Sequence, residues 1–144
     1  SGIALKRKIV EDLRPSALSA LGLGIALPDM CADASRSMGL AVHTDINLPA
    51  LPPDTELGIY RIVQEALTNA ARHSQAQQLW VVLQRENSQW LLRIRDDGRM
   101  ASNWQKGNGL QGMAERLENL GGGLRCEHSN TGGMQIEAWL PALA

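Results

Sequence analysis

The stretch RIVQEALTNAARHS, residues 61–74, decides how the rest of the chain is read. At ~100° per residue, Tyr60, Val63, Leu67 and Ala70 share one apolar face, the signature of an amphipathic helix whose face packs on a sheet. Glu65, Asn69, Arg72 and His73 follow at offsets 0, 4, 7 and 8 and form a second stripe roughly opposite. Gly58 falls on that stripe and leaves space above it. Carboxylate and carboxamide oxygens are hard ligands for Mg²⁺, which keeps waters and borrows phosphate oxygens. Arg and His are donors suited to the phosphates themselves. The same row also fits a solvated helix face, so the stripe alone leaves both readings open.

Two further stretches carry polar chemistry. The strand end IRDDGRM places Asp96 and Asp97 before Gly98, where a carboxylate can point into a cleft while the backbone turns. Asp96 there could accept a hydrogen bond from an adenine amino group. The alternative is a strand-ending turn with Asp as its Asx residue. The third stretch, KGNGLQGMAERL, puts Gly107, Gly109 and Gly112 before or within the start of a helix. Glycines let backbone N–H groups approach phosphates, and a helix N-terminus favours anions. Its G-x-G-x-x-G spacing matches a dinucleotide fingerprint only superficially, because no βαβ unit surrounds it.

Around these stretches the periodicity outlines the remaining elements. Residues 3–14 space Leu5, Ile9 and Leu13 as the end of an amphipathic helix, stopped by Pro15. Residues 16–39 read as largely helical, with Pro28 either kinking a helix or opening one and Gly39 ending it. LAVHTDI (40–46) alternates as a strand. QLWVVLQRE (78–86) and QWLLRIRD (89–96) form a hairpin around Asn87-Ser88. A helix over 110–120 precedes Gly121-Gly122-Gly123, and GLRCEHS and GMQIEAWLP close the chain as two strands. This order predicts an α+β fold, a two-layer sandwich with helices on one face of a mixed sheet.

The 144 residues fit one compact domain with a short appended segment. Hydrophobic residues make up 44%, and with no Phe the core must be filled by Leu, Ile, Val and the four Trp. A net charge of -1 gives no footprint for a nucleic-acid backbone. No apolar run approaches the ~20 residues that span a bilayer. Cys31 and Cys126 have no Cys or His at metal-ligand spacing and read as reduced and packed.

Taken in order, E-A-L-T-N-A-A-R-H, D-D-G, G-N-G-L-Q-G-M-A-E-R and the Gly-rich closing hairpin resemble the ATPase domain of sensor histidine kinases. That domain has the Bergerat-type fold shared with gyrase and the ninety-kilodalton heat-shock chaperones. The stretches look like the family's N box and its two glycine boxes. The short loop from Gly98 to Gly107, with G-L-Q-G-M-A-E-R and the upstream E-D-L-R-P-S-A-L, resembles the subfamily of nitrate/nitrite sensors. On this resemblance residues 1–15 are the end of the second dimerisation-bundle helix, 16–40 a helical linker and 41–144 the ATP-binding catalytic domain.

The resemblance also implies roles. Asn69 would coordinate Mg²⁺, and Glu65 would hold or polarise metal-bound water, making these two the candidate catalytic and metal residues. Arg72 and His73 would face the phosphates, Asp96 would take the adenine amino group, and Gly98 would give it room. Gly107, Gly109, Leu110 and Gly112 would shape the lid and phosphate edge. The cofactors would be ATP and Mg²⁺. The full protein would act as a homodimer, transfer the γ-phosphoryl of ATP to a histidine on an upstream helix, and pass it to a receiver aspartate of a response regulator. The chain would be a cytoplasmic domain of an inner-membrane sensor, held to the membrane only through upstream segments.

Three positions depart from the family pattern. Met100 replaces a second glycine after Gly98, Met134 follows Gly133 where Thr is usual, and Pro28 stands where a charged residue usually continues a helix. None is expected to touch Asn69 or Asp96. The two methionines motivate an alternative, a degenerate non-catalytic module of the same fold. His43 reads as a strand residue and His128 as a surface residue, and neither sits in an amphipathic helix followed by Asp or Glu. The phospho-accepting helix is therefore expected upstream of residue 1, and the fragment alone is not expected to autophosphorylate.

Overall fold

A computed structural model of the chain describes residues 16–47, 51–72, 75–99, 108–128 and 133–142. In chain order the elements are α1 (Ser16–Leu21), α2 (Leu23–Met38), β1 (Ala41–Ile46), α3 (Pro53–Arg72), β2 (Gln78–Glu86), β3 (Gln89–Asp96), α4 (Asn108–Asn119), β4 (Gly123–His128) and β5 (Met134–Pro141). The strands form one mixed sheet in the order β1-β2-β3-β5-β4. β1 runs parallel to β2, and the other neighbours are antiparallel. The expected helix over 3–14 lies outside the described residues.

Strand parity builds the core. Leu79, Val81 and Leu83 of β2 are buried, as are Trp90, Leu92, Ile94 and Asp96 of β3. The register sets Leu83 opposite Leu92 and Val81 opposite Ile94, and continues Ile94 to Ile136 on β5. One face is thus apolar across three strands, because side chains alternate with period two. On it α3 packs against β2, β3 and β5, with α2 and α4 on either side of α3. Leu110, Ala114 and Leu117 form the buried stripe of α4.

Of the three described tryptophans, Trp90 is buried, whereas Trp80 and Trp139 are half-exposed on the other side of the sheet. The expectation that all four fill the core fails for these two, because each alternates with buried aliphatic neighbours. Leucine dominates the interior instead.

The helical segment before β1 divides at Gly22 (φ 79°) and ends at Gly39 (φ 70°), a left-handed C-cap that a residue with a Cβ adopts only with strain. Pro28 lies inside α2 and does not open it, since the helix starts at Leu23. The Leu23 N–H donates to Glu56 Oε2 of α3 at 3.2 Å. Leu18, Leu23, Leu27 and Cys31 join the same core as α3. Burial pushes the Cys31 thiol up to about 11, and both cysteines are free.

Candidate functional site

The site is assembled at one end of the sheet, where α3 ends, β2 begins and β3 ends. Leu79, near the start of β2, is paired with Asp96, the last residue of β3. The C-terminal turn of α3 enters β2 through a short connection, so its polar residues share this end.

Along α3 the structure corrects the expected arrangement of the polar stripe. Asn69 is buried (7% exposed), Glu65 is half-buried, and Arg72 is exposed. His73 lies outside the described residues. The stripe is therefore not a free face opposite the sheet. α4 packs on it near the start of α3: Leu117 Cδ2 comes within 3.5 Å of where a Gly58 Cβ would lie, filling the space expected above that glycine. The buried arc of α3 runs from Gly58 through Ile62 and Ala66 to Asn69. Asn69 stands on its edge, where a carboxamide can be fixed by packing and still face outward.

Asp96 is 5% exposed. Its Oδ1 accepts from Gly98 N–H at 2.9 Å and from Met134 N–H at 3.3 Å. The first bond closes an Asx turn, so the turn reading and the site reading describe the same residue. The second ties the end of β3 to the start of β5. It also corrects the expectation that Met134 leaves Asp96 untouched. The contact is made by backbone N–H, which any residue but proline supplies, so the departure from threonine leaves it in place. Gly133 is required here by close approach. A Cβ at this position would fall 2.1 Å from the Asp96 carbonyl oxygen and 2.8 Å from Oδ1.

Among the described residues, Asn69 and Asp96 are the buried polar or charged side chains. Burying such groups is costly unless a partner or a function compensates. Gly98 is buried beside Asp96.

Asp97 was not singled out as a site residue, yet its side chain ties this loop to the segment before β2. Its exposed Oδ1 accepts from the N–H groups of both Gln77 and Gln78 at 2.9 Å. Those bonds, led by the one from Gln78, hold its carboxyl below the usual carboxylate range. A polar cleft lined by Gln75, Gln77, Asp97, Gly98 and Arg99 opens beside it. The sequence signal was a second Asp directly after Asp96, but its partners lie 19 and 20 residues upstream.

The glycine-rich stretch is described only from residue 108. Gly109 is the second residue of α4, and Gly112 is an exposed residue of the same helix, with open space where a Cβ would sit. Packing therefore does not demand glycine at 112. Leu110 is 1% exposed and anchors this end of α4 in the core. Gly107 and Met100 lie outside the described residues. His43 is a β1 residue on the open face; its Nε2 lies 3.0 Å from Gln78 Oε1 and its ring stacks on Trp80.

Comparison with known proteins extends this geometry. Residues 54–144 match the family described as histidine kinase-, DNA gyrase B- and HSP90-like ATPases. The sensor histidine kinase YxjM of Bacillus subtilis is 35% identical over 95% of this chain and 34% of its own length. The sensor histidine kinase LiaS of the same organism is 33% identical over 94% of this chain and 38% of its own length. The chain thus spans about a third of the curated relatives it matches. Among solved structures, the histidine kinase domain of the Erythrobacter litoralis EL346 blue-light activated histidine kinase superposes with a TM-score of 0.70 at 20% identity. That match covers 83% of this chain and 60% of the other, and it shows the same fold.

Proposed function

The chain belongs to the histidine kinase-, DNA gyrase B- and HSP90-like ATPase family, and from that premise we propose that it binds ATP with Mg²⁺ as the catalytic domain of a two-component sensor histidine kinase. One observation carries the reading: the two polar side chains buried among the described residues, Asn69 and Asp96, belong to two of the motifs read from the sequence.

In this reading Asp96 accepts the adenine amino group, held in place by the Gly98 and Met134 N–H groups. Asn69 and Glu65 supply hard oxygen ligands to Mg²⁺, whose chemistry is to neutralise phosphate charge. Among the described residues no group of three or more His, Cys, Asp or Glu could hold a metal. A cation here would take its other ligands from phosphate and water, the usual habit of Mg²⁺. Arg72 and His73 face the phosphates, while Gly107, Gly109, Leu110 and Gly112 form the lid edge. The donor set suits catalysis by positioning and electrostatics.

In the whole protein the γ-phosphoryl passes to a histidine on a separate helix and then to a response-regulator aspartate, within a homodimer. The motif G-L-Q-G-M-A-E-R supports a reading of the chain as one of the nitrate/nitrite-sensor subfamily. Among the described residues no helix is long and apolar enough to cross a membrane. In this reading the chain is the cytoplasmic part of an inner-membrane sensor.

Titration with a non-hydrolysable ATP analogue tests the core of the reading. A Mg²⁺-dependent rise in melting temperature and a change in Trp fluorescence are expected. No shift at saturating nucleotide and Mg²⁺ rejects it.

A further inference from the structure

Asp97 joins two segments that the sequence keeps apart. The end of α3 closes through Ala76 N–H to the Ala70 carbonyl at 3.2 Å. Gln75 follows α3 with φ 52°, a left-handed conformation that a residue with a Cβ adopts only at a cost. The next two N–H groups, of Gln77 and Gln78, both donate to Asp97 Oδ1 at 2.9 Å. Asp97 N–H donates back to the Gln78 carbonyl at 3.2 Å. Three hydrogen bonds thus lock the loop holding Asp96 and Gly98 to the connection that leaves the Asn69 end of α3.

We propose that Asp97 is a positioning residue that sets the spacing between the nucleobase end of the site, at Asp96, and the metal–phosphate end, at Asn69. The proposal rests on the ATP reading above. A ligand that touches only one end is insensitive to that spacing. A ligand that bridges both ends loses affinity when the spacing relaxes, because preorganised geometry is then no longer supplied by the fold. Asparagine retains the Oδ1 acceptor and so keeps the clamp; alanine removes it.

The experiment is calorimetric titration of the chain and its variants with two probes, a Mg²⁺-bound non-hydrolysable ATP analogue and adenosine, which has no phosphate to reach the Asn69 end. Asp97→Ala is expected to weaken the Mg²⁺-bound analogue about tenfold and adenosine less than about twofold, with Asp97→Asn restoring the first. Equal losses with both probes, or none with either, overturn the proposal, since a purely structural clamp cannot distinguish the probes. Should Asp97→Ala not fold by circular dichroism, Asp97→Ser, whose shorter side chain loses the double contact, is judged by the same criteria. A wild-type chain that binds neither probe overturns the ATP reading itself, which is distinct from wild-type binding with an unselective variant.

Discussion

The two faces of the sheet use polar side chains in opposite ways. On the helix-covered face, Asn69 and Asp96 are set singly into an apolar interior of Leu, Ile and Val. On the open face, polar and charged groups satisfy one another across strands. His43, Trp80 and Arg95 lie opposite one another on β1, β2 and β3, with Arg95 4.6 Å from the Trp80 ring centroid. Glu137 of β5 bridges Arg93 and Arg125. A polar group on the covered face has left water, which is costly unless hydrogen bonds or a ligand compensate. One on the open face keeps its water and contributes little alone. The difference predicts that substitutions on the covered face act on ligand binding or folding, and those on the open face barely on either.

The largest effect is expected at Asn69. Asn69→Ala should weaken the Mg²⁺-bound ATP analogue by at least about a hundredfold while the chain stays folded, because a positioned hard ligand is lost. Isothermal titration alongside circular dichroism checks both halves. An unchanged dissociation constant removes Asn69 from the site and breaks the contrast between the faces.

How far the sequence foretold this arrangement depends on the range of the interaction. β2 and β3 are legible to the residue, 78–86 and 89–96, because alternation and a two-residue turn at Asn87 (φ 56°) are local. The apolar face of α3 is local too, and Tyr60, Val63, Leu67 and Ala70 are buried as the periodicity requires. The burial of Asn69 is not local. The helical wheel puts Asn69 on the stripe opposite the apolar face, so its burial comes from tertiary packing that no helical wheel contains. Asp97 was passed over for the same reason, its donors being on another segment. Trp80 and Trp139 were misplaced by composition, although their parity between buried neighbours held the answer.

Gly133 sharpens the comparison from the packing side. It is buried beside Asp96, and an added Cβ would lie 2.1 Å from a backbone oxygen that cannot step aside without moving β3 from β5. Gly133→Ala should destabilise the chain by about 1–3 kcal/mol, the usual cost of overpacking. Chemical denaturation reads this as a lower midpoint with an unchanged slope. The displaced Met134 N–H should also weaken adenosine binding, which Asn69→Ala should leave nearly intact. A fully stable Gly133→Ala would mean that the two strands are not held as closely as described.

The smallest effect belongs to the open face. Glu137 Oε2 lies 3.2 Å from Arg93 Nε and Oε1 lies 2.7 Å from Arg125 Nη2, with both arginines about half exposed. Water screens such pairs, and holding three long side chains in one geometry costs entropy, so exposed ion pairs contribute about 0–1 kcal/mol. Glu137 is the most sheltered member, at 20% exposure, and accepts from two partners, which puts it toward the upper part of that range. Glu137→Gln should therefore lower stability by about 0.5–1 kcal/mol at low salt, with half or more of the difference gone at about 1 M NaCl, where the screening length is about 3 Å. Nucleotide affinity should be unchanged with either probe, since the side chain points away from Asn69 and Asp96. A loss comparable to that of Gly133→Ala, or any loss of nucleotide affinity, would show that the open face does more than keep itself solvated.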